Sequence, residues 1–234
     1  MCIRDRYDSS AAFYDRCLTP LLKAVRDDIR IYIQHRGHRR ILDLCCGTGD
    51  QLKLLANGAE ELVGIDNSVA MLARARSNCP EHVALPLVDA SQLDFPSGYF
   101  DCAIISFALH EKHPTLRDLI FFNARKVVRQ GGSLIITDYS KSPPGVKGFV
   151  LGDIMIPVVE RLAGRNHYLN YLNWMRAGGI EGFLQQRNQT VDIISRRFGG
   201  SVFCCGVSID DDIRTYQKHL DLLNRTFSPS PDRH

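Results

Sequence analysis

The segment Ile41-Leu-Asp-Leu-Cys-Cys-Gly-Thr-Gly-Asp50 constrains what this 234-residue chain can fold into more than any other. A short apolar run enters a Gly-Thr-Gly turn, and an amphipathic stretch over residues 50–57 leaves it. Glycine lets the backbone turn sharply and lets a ligand come close to the main chain. The N-terminus of the helix that follows offers unpaired N–H groups. The alternation of short apolar runs and longer amphipathic segments continues to residue 140. It predicts strands over residues 40–45, 61–65, 83–88, 100–106 and 133–137, the third interrupted by Pro86. Helices are predicted over 68–77, with Ser68 as its cap, and over 115–128, with Gly131-Gly132 ending it. Strand, helix, strand at this spacing implies right-handed crossovers and a parallel sheet covered on both faces.

Beyond residue 140 the rhythm changes. Residues 146–187 carry helical patterning broken by glycines. Val191–Ser195 and Ser201–Cys205 flank Gly199-Gly200 and read as an antiparallel hairpin closing the sheet. Ile209, Ile213, Tyr216, Leu220, Leu223 and Phe227 form one apolar stripe on a final helix, which packs onto its own domain or onto a second copy. The fold expected is α/β: a Rossmann-like, mostly parallel seven-stranded sheet with helices on both faces and an antiparallel C-terminal hairpin.

Composition narrows the function classes. With 44% hydrophobic and 24% charged residues the chain is neither disordered nor a coiled coil. A net charge of +3 makes no case for nucleic acid. The longest apolar candidate, Phe149–Ala163, holds Asp153, Pro157 and Glu160, so no membrane span is expected. The charged first residues lack an apolar signal core, and the eight cysteines form no Cys-x-x-Cys pair. Free buried thiols, a cytoplasmic setting and a monomer or homodimer are the expectation. His110 and His113 are three apart, but Pro114 follows and no thiol ligand set accompanies them, so no metal is expected.

The glycine turn has a partner. Nineteen residues after Gly47, at the end of the second strand, stands Asp66, whose carboxylate can accept two hydrogen bonds from a ribose diol. The pair suggests an adenosine-type ligand at the carboxyl ends of the strands. No Gly-Lys-Ser/Thr follows, and position 52 is Leu, so neither a phosphate loop nor a full dinucleotide fingerprint is present. Asp43, inside the strand before the turn, would repel phosphate and attract a cation.

These motifs resemble those of the class I S-adenosylmethionine (SAM)-dependent methyltransferases. Leu42-Asp-Leu-Cys-Cys-Gly-Thr-Gly49 is similar to their first motif, and Val63-Gly-Ile-Asp-Asn-Ser68 to their second-strand acid. Asp89-Ala90 with Leu93-Asp-Phe-Pro96, Phe100–Ser106, and Arg125–Asp138 are similar to their adenine-side segment, fourth strand and fifth strand. The resemblance covers residues 39–140. It points in particular to the small-molecule enzymes of the ubiquinone/menaquinone-biosynthesis group, whose lid the segments Tyr7-Asp8 and Phe13-Tyr14-Asp15 resemble. It implies a helical lid over 1–38, a SAM-binding core over 39–140, a helical acceptor-pocket insertion over 141–187, and a hairpin and helix over 188–234 completing the core. It further implies that Gly47 and Gly49 approach the methionine part of SAM, with Asp43 near its ammonium group. Asp66 would hold the ribose and Asn67 lie beside the adenine. Asp89 would accept from the adenine amino group, and Ala90 donate its backbone N–H. Ser106 and Phe107 would line the methionine side, and Tyr14 would close over the sulfonium.

A small-molecule acceptor that must lose a proton needs a base with a pKa near neutrality. His110, after the fourth strand, is the leading candidate, with adjacent Glu111 setting its tautomer or binding the acceptor; a surface pair at a loop is the other reading. His167 is the second candidate. His167 and Tyr171 share one helix face, Tyr168 adjoins them, and this polar-aromatic face suits a substrate wall or the edge of a packed helix. Tyr139, just after the fifth strand, is a third lining candidate. An RNA or protein methyltransferase, or a SAM-binding module without catalysis, are the alternatives. The place where base-methylating enzymes carry Asn/Asp-Pro-Pro-Tyr reads Ser-Phe-Ala-Leu here.

Overall fold

A computed structural model gives the architecture, described over residues 22–141 and 156–210. Helix α1, residues 22–36, leads into strand β1 (Arg40–Leu44). There follow α2 (Asp50–Leu55), β2 (Glu61–Ile65), α3 (Val69–Asn78), β3 (Phe100–Ser106), α4 (Pro114–Val127) and β4 (Val128–Tyr139). Three further helices come next: α5 (Ile156–Ala163), α6 (Arg165–Arg176) and α7 (Gly179–Gln185). Strands β5 (Val191–Arg197) and β6 (Val202–Ser208) end the described chain.

Among the described residues the sheet has six strands in the order β2-β1-β3-β4-β6-β5. The first four run parallel, while β6 pairs antiparallel with both β4 and β5. The seventh strand expected over 83–88 is reduced to two isolated bridges, Val63 with Ala84 and Asp66 with Leu87. Pro86 has no N–H to give a ladder, so pairing cannot run through the segment. The hairpin forms as expected, with β5 running two residues further toward the turn and β6 three residues further at its outer end. Helix α4 stops at Val127, earlier than Gly131-Gly132, because the chain is already extended at Val128 and enters β4. Ser68 caps α3 as read, its hydroxyl accepting from Met71 N–H at 3.3 Å. Tyr14, most of the expected lid and the final apolar stripe beyond residue 210 lie outside the described residues.

Both faces of the parallel strands are covered, so β1 and β3 carry nearly unbroken apolar runs: Ile41, Leu42 and Leu44, and Phe100 through Ile105 apart from Asp101. Helix α4 covers β3 and β4, and α7 lies against β4. This packing aligns the carboxyl ends of β1, β2, β3 and β4 along one edge, since Leu44 pairs with Ile65 and Ile105, and Ser106 with Thr137.

Candidate active site

The glycine turn stands at that edge. After Leu44 the chain takes left-handed backbone at Cys45 (φ 58°), Gly47 (φ 56°) and Gly49 (φ 79°), then starts α2. The two glycines do different work. A Cβ on Gly47 would meet no atom within 4 Å, so the turn faces open space there. A Cβ on Gly49 would stand 2.7 Å from Cys79 Sγ and 3.1 Å from Ala75 Cβ of α3. Gly49 thus allows close packing of the turn on α3, where a side chain would not fit.

Asp66 is joined to the turn. One of its oxygens accepts the Gly47 N–H at 3.0 Å and the other the Ser68 N–H at 2.8 Å. Each keeps a further lone pair, the capacity a ribose diol needs. Asp43 is 3% exposed, and burial pushes its pKa up to about 8, with Arg26 of α1 opposing the rise and Asp66 adding to it. Arg26 also lies 3.1 Å from Asp50, so α1 docks beside the turn. A buried carboxyl whose charge is poorly compensated suits a cationic ammonium group. Asn67 and Asp89 are exposed and Ala90 buried; Asp89 accepts the Ser91 N–H and hydroxyl at 2.8 and 2.7 Å, holding its loop. Ser106 has a buried hydroxyl without a hydrogen-bond partner, and Phe107 takes φ 52° as the chain leaves β3. Open space at Gly47, spare lone pairs on Asp66 and the buried Asp43 together fit a SAM-like ligand.

Next to this edge lies a second, denser group. His110 is 3% exposed; its Nδ1 lies 2.7 Å from Asp138 Oδ1, and its Nε2 faces Glu160 Oε2 at 3.6 Å. His167 lies between two carboxylates, Nε2 at 2.6 Å from Glu111 and Nδ1 at 2.7 Å from Glu160. Tyr139 donates its hydroxyl to Glu160 at 2.9 Å and lays its ring 4.5 Å from that of His110. Burial opposes charge on the imidazoles, but the carboxylates overcome it: Asp138 and Glu160 bring His110 up to about 10, and Glu111 and Glu160 bring His167 up to about 9. Glu160, despite burial, is drawn down to about 2 by the two imidazoles. Burial likewise opposes charge on Glu111, yet His167 and Lys112 hold it well below the carboxylate range. The carboxylates around His110 thus favour its protonated form.

The structure brings His110, Glu111 and His167 together, and Tyr139 and Tyr171 pack beside them. Tyr171 is 3% exposed and sits 5.7 Å from Tyr139; half-buried Tyr168 stacks on it at 6.2 Å. The group stays close to the glycine turn, because Glu111 and Lys112 lie within electrostatic reach of Asp66 and Cys45.

Sequence reasoning missed three residues here. Asp138 carried no assigned role, although an acid ending a parallel strand is the signal already used for Asp66. Glu160 comes from a separate helix, and nothing in its spacing to His110 marks it. Buried Arg117 of α4 donates to the carbonyls of Leu109, His110 and Asn170 and to the Asn173 side chain, with its guanidinium over the Trp174 ring. It fastens α6 to the loop that carries His110. A separate cleft lined by Ile33, His38, Leu55 and Gly58 opens at the start of β1, away from this chemistry.

The sheet order and the acid-flanked glycine turn define a class, the class I SAM-dependent methyltransferases. Residues 41–132 match the family described as methyltransferase domain, and SAM is the cofactor of that class. The chain is similar to the demethylmenaquinone methyltransferase of Beutenbergia cavernae, 29% identical over 160 residues covering 64% of this chain and 65% of that protein. The chain thus spans less than two thirds of that relative's length. The enzyme of the same name from Clavibacter sepedonicus is 28% identical, over 82% of this chain and 87% of its own. In fold the chain is like the solved DhpI–SAH complex, with a TM-score of 0.58 and 14% identity, covering 86% of this chain and 92% of that one.

Proposed function

We propose that the chain transfers a methyl group from SAM to a small-molecule acceptor. One observation carries the reading: Asp66, ending β2, shares its carboxylate with Gly47 of the turn, beside the buried carboxyl of Asp43. SAM supplies a methyl group activated on a positively charged sulfur. Asp43 would take its ammonium group, Asp66 its ribose, Asp89, Ala90 and Asn67 its adenine side, and Ser106 and Phe107 its methionine side. Much of the acceleration in such a transfer is positioning, on the order of 7–11 kcal/mol when reactants are held in line.

His110, Glu111 and His167 would face the acceptor and orient its reacting group, with Tyr139, Tyr168 and Tyr171 forming the wall behind them. The relatives are named for demethylmenaquinone, which points to a quinone-type acceptor. A cyclic, hydroxylated acceptor suits an aromatic wall backed by buried polar groups. In this reading residues 39–140 form the cofactor core, 141–187 the acceptor insertion, 188–234 its completion and 1–38 a lid, in an intracellular protein acting alone or as a homodimer. Among the described residues no helix is long and apolar enough to cross a membrane.

Calorimetric titration with SAM and with S-adenosylhomocysteine tests the cofactor assignment. Asp66→Ala removes binding; unchanged affinity overturns the assignment. Incubation with methyl-labelled SAM and a panel of phenols, quinols, amines and thiols then identifies the acceptor, and label entering only RNA or protein would reject a small-molecule enzyme.

A further inference from the structure

The His110, Glu160 and His167 group has a geometry that acid–base chemistry alone does not require. Its three inward atoms, one from each residue, all lie within 4.8 Å of one another. Glu160 Oε2 and His167 Nδ1 are buried and form an ion pair at 2.7 Å without an aligned hydrogen bond. His110 Nε2 faces the same Glu160 oxygen from 3.6 Å. Meanwhile the outward atom of each residue is occupied. Asp138 holds His110 Nδ1 at 2.7 Å, Glu111 holds His167 Nε2 at 2.6 Å, and the Tyr139 hydroxyl holds Glu160 Oε1 at 2.9 Å.

This is the arrangement that fixes imidazoles as metal ligands: a carboxylate on the far nitrogen sets the tautomer and aims the near one. We propose that His110, Glu160 and His167 bind a divalent transition-metal ion of the zinc type. Two imidazoles and one carboxylate form a donor set for such ions. Bonds of about 2.1 Å in a tetrahedral site place ligand atoms roughly 3.4 Å apart. The 3.6 Å separation already fits, and the 2.7 Å contact must open by a side-chain rotation. Three protein ligands leave a coordination position open. Because the group lies near the glycine turn, the ligand class for that position is an acceptor oxygen, a hydroxyl or enol. The sequence expectation of no metal weighed only His110 and His113; the ligands come instead from β3's exit loop, α5 and α6, which only the fold brings together. The metal site does not depend on the methyl-transfer reading.

The test uses the whole chain, stripped with chelator and titrated with Co2+ and Zn2+ while absorption, calorimetry and elemental analysis are recorded. One ion per chain is expected, with ligand-field bands of a low-coordinate nitrogen–oxygen site and no sulfur-to-cobalt charge transfer. Glu160→Gln and His167→Ala should each weaken binding at least about a hundredfold, and Glu111→Gln by about tenfold to a hundredfold. Circular dichroism and a cooperative thermal melt on each variant report that it is folded. Should Glu160→Gln fail to fold, the more peripheral His167→Ala carries the test. No stoichiometric ion at micromolar concentrations overturns the proposal, as does full retention of the ion in the folded variants. A thiolate cobalt spectrum, placing the ion at the cysteines, also overturns it.

Discussion

Asp138 accepts the Nδ1–H of His110 at 2.7 Å while its carboxylate also receives the backbone N–H groups of Leu109, His110 and Tyr139 at 3.1, 3.2 and 2.7 Å. One fully buried acid therefore fixes the exit of β3, the end of β4 and the orientation of one imidazole. Asp138→Asn turns an NH2 group against at least one of those donors. Loss of a buried ionic partner of this kind costs about 3–5 kcal/mol. Denaturant unfolding measures it, and a cost under about 1 kcal/mol would show that the acid does not organise this corner.

Asp43→Asn separates stability from binding. The Asp43 pKa is about 8 in the folded chain, against an ordinary value of 3.8. Between those values the unfolded chain has released the proton and the folded chain keeps it, so this group makes stability fall as pH rises from about 4 to 8. The asparagine variant has no such slope. It should melt higher than the parent at pH 8, match it near pH 4, and lose SAM affinity in calorimetry. A parent whose melting temperature is insensitive to the substitution at pH 8 contradicts the burial argument.

Asp101 works in the opposite direction. Burial would raise its pKa, but the N–H groups of Arg40 and Arg39 and the Arg129 guanidinium, at 2.9, 2.9 and 2.8 Å, bring it down to about 2. Its contribution is present above the unfolded value of about 4 and is lost as pH falls toward 2. Asp101→Asn should therefore destabilise the chain by about 1–3 kcal/mol at pH 7 and by little at pH 2, read from urea midpoints at the two pH values.

The two turn glycines predict different failures. Gly49→Ala meets both positive φ and the 2.7 Å approach to Cys79 Sγ, and should cost about 2–4 kcal/mol of stability. Adding Cys79→Ala should recover part of that loss. Gly47→Ala carries the φ penalty alone, about 1–2 kcal/mol, and should instead weaken SAM binding by obstructing the turn. Equal stability losses and unchanged affinities would reject this division of labour.

The cofactor half of the molecule was legible because local rules wrote it. Leu42, Leu44, Ile104 and Ile105 stand in runs that only a doubly covered parallel strand tolerates, and Gly47 and Asp66 mark where those runs end. The third strand misled because its apolar content persists although Pro86 prevents the ladder. The cluster around His110 was half legible. His110 and His167 stood out as titratable residues in apt contexts, but their partnership depends on Glu160 and Arg117. Glu160 reaches His110 across 50 positions and Arg117 reaches Asn170 and Asn173 across 53 and 56, and no periodicity encodes contacts of that span.

Strand β6 sits between β4 and β5 although it is the last of the three to be synthesised. Until residues 202–208 arrive, a chain that has already assembled its four parallel strands presents the buried apolar margin of β4 with its main-chain groups unsatisfied. A nascent or prematurely terminated product is therefore a template for the same segment of another molecule. Closure by the returning strand is what pairs those main-chain groups within one chain.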